Sequence, residues 1–213
     1  MEIKNQLKEM FQMQKSLNEN ILKEFGELSM TSDKLQMAIT DELGELTHEL
    51  KGRWCWWKKS QKPVDRKRVL EELVDVYHFV MTWELRYGPV AGDINGILEY
   101  YKDAINEYEI DISALELHKL ICIVIFRKNK LMNLLVLSRR LNFTFDEIYQ
   151  EDVVSMKESI DLNFEENIEI VHMFHDYLLE NSYFNVLPTL MKRLKKDLEK
   201  HLNIEVLLFE MDD

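Results

Sequence analysis

Apolar residues recur at helical spacing in segment after segment of this chain, and the period-two alternation of strands is nearly absent. Leu7, Met10, Phe11, Gln14, Leu17, Asn18 and Ile21 share one face of a first helix expected over Ile3–Phe25. Gln14 and Asn18 thus fall on the apolar stripe, where an amide needs a partner. It can be a satisfied core group or a reader of a ligand's polar edge. A second helix, with Thr31, Ser32 and Asp33 as N-cap choices, is expected to run to about Lys51, where Gly52 would end it. A third, from Arg66 to Tyr87, carries apolar residues on nearly every side and should be central.

Further helices are expected over Asp93–Tyr108, Ser113–Leu141, Phe145–Met156, Glu165–Asn181 and Asn185–His201. The apolar runs Ile121–Phe126 and Leu131–Leu137 suit a bundle centre or a subunit interface. Only the tail segment IEVLLFEM reads as a strand. The pattern predicts an all-α multi-helix bundle, with 1–213 forming one domain. Its functional core should lie within about residues 1–110, with 111–213 completing the bundle or its interface.

A formal charge of −12 argues against a general nucleic-acid binder. It leaves a nucleotide substrate open, because a metal ion reverses the local sign of an acidic site. Two cysteines, Cys55 and Cys122, are too few for a disulfide framework. With no signal-like start and no apolar run long enough to span a bilayer, a cytoplasmic protein with no membrane partner is expected.

Two acidic pairs stand out, Glu42-x-x-Glu45 and Glu72-x-x-Asp75. Residues three apart share a helix face. The first pair alone fits a solvated surface. The second lies on the face of Val69, Val76 and Phe79, where a carboxylate is costly unless paired or bound to metal. Packed together, the two helices would gather four carboxylates, a grouping that needs a cation. Hard oxygen donors without a Cys or His cluster select magnesium or manganese. His78, one turn after Asp75, suits either a ligand-orienting role or a core hydrogen bond.

Between the pairs lies a basic connector with Trp54, Trp56, Trp57, Lys58 and Lys59, in which lysines suit phosphates and indoles suit a base. No glycine-rich phosphate loop or serine elbow is present, so metal-assisted hydrolysis of a phosphoanhydride is the chemistry these residues can perform.

The two acidic pairs, the segment Gln14-Lys15-Ser16-Leu17-Asn18, the connector and the run Glu72-Leu-Val-Asp75-Val-Tyr-His78-Phe79 together resemble the dimeric all-α dUTPases. These belong to a wider superfamily of nucleotide pyrophosphatases that includes the MazG-type enzymes. The resemblance implies a central four-helix metal-binding core and Mg2+ (or Mn2+) on Glu42, Glu45, Glu72 and Asp75. It also implies Glu45 as the residue that polarises water, and uracil recognition by Gln14 and Asn18. Trp57, Lys58 and His78 complete the expected substrate contacts. The implied reaction is hydrolysis of dUTP, with dUDP as a possible further substrate, by a homodimer. The other readings are a sister enzyme acting on another nucleoside triphosphate, or an inactive helical interaction module. After Tyr149 the chain lacks the basic Lys/Asn/Arg and Gly-Tyr motif that relatives carry.

Overall fold

The structure is a computed structural model that describes residues 2–108 and 116–157. The chain divides into two compact units, Met1–Lys157 and Glu158–Asp213. The helices expected at Glu165–Asn181 and Asn185–His201, and the strand-like tail, lie outside the described residues.

The first unit is all-α. Helix α1 spans Ile3–Phe25 and leads through a short 3-10 turn at Glu27–Met30 into α2, Ser32–Glu49. The single helical turn α3, Lys51–Trp54, opens the connector, and α4 follows as Arg66–Tyr87. Then come α5 (Ile94–Tyr100), α6 (Lys102–Asn106), α7 (Leu117–Phe126) and α8 (Lys130–Arg140). A last helix, α9, covers 145–157. The described residues contain no strand, and no helix among them is long and apolar enough to cross a membrane.

Helix α4 is the axis of this unit. It packs along α2 over most of its length and also meets α1 and α8. Val69, Leu73, Val76, Tyr77, Val80 and Met81 are buried around it, as the all-round apolar pattern predicted. Removing a leucine from such a site costs about 2–5 kcal/mol. Its start is fixed by Asp65, whose carboxylate accepts the N–H groups of Lys67 (3.0 Å) and Arg68 (3.5 Å). A cap of this kind is worth about 1 kcal/mol. Thr31 caps α2 through the Lys34 N–H, and Thr144 with Glu147 forms a reciprocal capping box at α9. Arg66 joins the two caps, donating to Glu147 at 2.7 Å and lying over the Phe143 ring.

The structure corrects three expected boundaries. Gly52 does not end the second helix: α2 stops at Glu49, and Gly52 sits inside α3. The helix expected over Asp93–Tyr108 is two, broken at Tyr101, whose hydroxyl donates to buried Glu84 at 3.0 Å. The long helix expected to reach Leu141 is also two, α7 and α8, folded against each other.

Lys130 explains that break. Its ammonium turns back to the Val124 and Ile125 carbonyls at 3.0 and 2.6 Å, satisfying the open end of α7. The Leu131 N–H then donates to Glu84, which ties the start of α8 to α4. Burial raises the Glu84 pKa, and the Leu131 N–H, Tyr101 and Lys130 oppose the rise.

Candidate active site

Because α2 and α4 run side by side, residues three apart on each meet across their seam. Glu42, Glu45 and Glu72 each offer a carboxylate oxygen, and these oxygens lie within 4.8 Å of one another. Burial raises the Glu42 carboxyl to about 7, with Asp75, Glu45, Glu72 and Asp41 adding repulsion. Glu72 is likewise raised to about 7, by burial first and then by Glu45 and Asp75.

Asp75 lies outside the tight trio but is coupled to Glu42 and Glu45. Burial lifts its pKa, and His78 opposes the rise. The group opens on a cleft of about 370 Å³ lined by Asp41, Gly44, Glu45, His48, Arg68 and Glu72, among others. Carboxylates crowded this closely, two of them raised to about 7, are short of positive charge. Their hard oxygen donors fit a divalent cation of the magnesium class.

A second polar group lies farther along α4. Gln14 Nε2 donates to Asn18 Oδ1 (2.9 Å) and to Thr82 Oγ1 (3.0 Å), and Thr82 Oγ1 donates to Asn18 Oδ1 (3.0 Å). All three side chains are buried. The triangle leaves Gln14 Oε1 and Asn18 Nδ2 without partners among the described residues. Reversing both amides leaves the same complement, one donor and one acceptor. Buried groups left open like this cost stability unless a ligand completes them. Thr82 follows Asp75 by seven residues, which is two turns or about 10 Å along the helix.

A family model described as dUTPase matches residues 6–196, a span that takes in the triangle, both acid pairs and the connector. The chain belongs to the all-α dUTPase family. No curated protein and no solved structure matches it. As a member of the dUTPase family it is a nucleotide pyrophosphohydrolase in the general sense.

The other expected residues of this dUTPase-family site are placed differently. Trp54 is pinned to α2 by its Nε1–H, which donates to Thr47 O at 2.9 Å, and it lines a separate cleft against α7. Trp57 is 58% exposed and rests on Trp54 and Trp56. Neither Trp57 nor Lys58, also exposed, lines the acid cleft. The indoles expected to meet a base instead cluster on one another in the open. His78 faces inward, between Asp75 and Asp152.

Two cations of the later helices are committed away from the acid cleft: Lys130 caps α7, and Arg139 donates to Glu107 O and lies over Tyr108. Sequence reasoning missed Thr82 and Asp152. Thr82 was signalled by its heptad spacing from Asp75, and Asp152 by its place between Ile148 and Met156 on the buried face of α9.

Proposed function

We propose that the protein is a magnesium-dependent dUTP diphosphatase that hydrolyses dUTP to dUMP and pyrophosphate. The observation that carries this reading is the arrangement along α4. A carboxylate trio with Asp75 beside it lies about 10 Å (from Asp75) to about 15 Å (from Glu72) along the axis of α4 from Thr82, which holds a buried, half-satisfied amide pair of α1, a span that an extended nucleoside triphosphate covers.

Glu42, Glu45, Glu72 and Asp75 would hold the cation, which when bound neutralises triphosphate charge and lowers the barrier to water attack. Glu45 is the most exposed of the trio. Its carboxylate accepts the proton of the attacking water as the water oxygen bonds to phosphorus and the P–O–P bridge breaks. Gln14 and Asn18 supply one acceptor and one donor, matching the N3–H and carbonyl edge of uracil. Family membership supports uracil over cytosine, whose edge also offers such a pair. We place the homodimer contact on α7, where Phe126 is 80% exposed.

The test is pyrophosphate release from dUTP, dTTP, dCTP, dATP and dGTP in parallel with magnesium present. A clear preference for dUTP is expected. Equal rates on all five would overturn the uracil assignment.

A further inference from the structure

Asp152 lies on α9 with its side chain fully buried, and neither carboxylate oxygen has a hydrogen-bond partner among the described residues. An ionised carboxylate in that condition costs several kcal/mol, whereas an apolar residue at the same place would cost nothing of the kind. The phenols beside it are engaged elsewhere: Tyr77 with Ser138 at 2.9 Å, and Tyr149 with Glu9. Among the described residues, a cation-forming group close to it is His78, whose Nε2 is 3.1 Å from Asp152 Oδ1. On the other side of the same ring, Nδ1 is 3.6 Å from Asp75 Oδ1.

The imidazole therefore stands between a sealed carboxylate and Asp75, the carboxylate beside the acid trio. The two carboxylate oxygens, at 3.1 and 3.6 Å from its two nitrogens, bracket the ring from opposite sides.

We propose that Asp152 is a positioning residue for the acid cleft: it holds His78 from behind, and His78 sets the place of the Asp75 carboxylate. The proposal rests on reading Glu42, Glu45, Glu72 and Asp75 as a cation site. Groups behind a ligand, fixing its orientation, commonly contribute a factor of about 10–100 to metal affinity. In this chain that support comes from α9, a helix that otherwise meets the core through its caps and apolar face.

The test is Mn2+ titration of the full chain without nucleotide, read by the paramagnetic resonance of free Mn2+, with thermal melting of each metal-free variant alongside. Asp152→Ala and His78→Gln should each weaken Mn2+ binding by about 10–100-fold. The double variant should be no weaker than the weaker single one, because both act through one chain of contacts. Asp152→Asn, whose amide oxygen can still accept from Nε2–H, should stay within about threefold of wild type. Asp152→Ala should melt no lower than wild type, since the buried oxygens it removes make no hydrogen bond among the described residues.

Mn2+ affinity within about twofold of wild type in both single variants would overturn the positioning role. So would weakening that tracks a fall in melting temperature and is not rescued by Asn. Failure of the wild-type chain to bind Mn2+ at all would instead overturn the cation site itself, and the positioning role with it.

Discussion

Replacing Glu72 with Gln should make the metal-free protein more stable while weakening its hold on a divalent cation. Glu72 is pressed chiefly by Glu45 and Asp75, with Glu49 farther down the order. Carboxylate oxygens within 4.8 Å of one another repel by roughly 1 kcal/mol per pair at the dielectric of water and roughly 3.5 at an effective value of about 20. These groups are half-exposed and screened, so the lower figure governs, and the relief is about 1–2 kcal/mol. For a protein of this size that raises Tm by about 2–8 °C.

The pH dependence gives the assay its second arm. The folded Glu72 carboxyl titrates near 7 against an ordinary value of 4.5. Between those values the folded chain binds more protons than the unfolded one, so its stability falls as pH rises through the window and levels off above it. The gain from Gln is therefore nearly full at pH 8 and only roughly a quarter of that at pH 5. Differential scanning fluorimetry in EDTA, at both pH values, measures it. No gain at pH 8, or an equal gain at both, would refute the crowded-carboxylate picture.

Other substitutions probe separate parts of the structure. Gly44→Ala places a methyl where nothing lies within 4 Å, so it should stabilise α2 by about 0.5–1 kcal/mol in chemical denaturation. Gly88→Ala brings a Cβ to 2.6 Å from Glu84 O, beside a carboxylate already held by Tyr101 and the Leu131 N–H. It should lower stability by about 1–3 kcal/mol, seen as a lower urea midpoint. Asn18→Leu removes one member of the open amide pair. It should raise KM for dUTP by about tenfold or more, with a smaller effect on kcat, in steady-state pyrophosphate assays.

The helices around the acid pairs were legible because local signals agree there. Helix α4 has a cap at Asp65, apolar residues on all sides and a Gly-Pro stop, so its centrality followed from sequence. The acids on it were conspicuous for the same reason. The α7–α8 pair was not legible as two helices, because apolar residues run through Ile121–Phe126 and Leu131–Leu137 with similar periodicity. What separates them is Arg127-Lys128-Asn129 and the backward reach of Lys130, a tertiary contact that propensity does not contain. Exposure of the connector tryptophans was equally hidden, since three indoles can satisfy one another without entering the core. Gln14 and Asn18 could be placed on one face, but their third partner, Thr82, comes from a residue 64 positions beyond Asn18.

The central claim is that the carboxylates of α2 and α4 hydrolyse a uracil nucleotide with the help of a divalent cation. Its most direct test is product analysis of wild-type protein incubated with dUTP, in magnesium and in EDTA, with Glu45→Gln beside it. The account predicts dUMP and pyrophosphate in equal amounts with magnesium, none in EDTA, and loss of turnover in a Glu45→Gln variant that still folds. Undiminished hydrolysis in EDTA, or by Glu45→Gln, would contradict it.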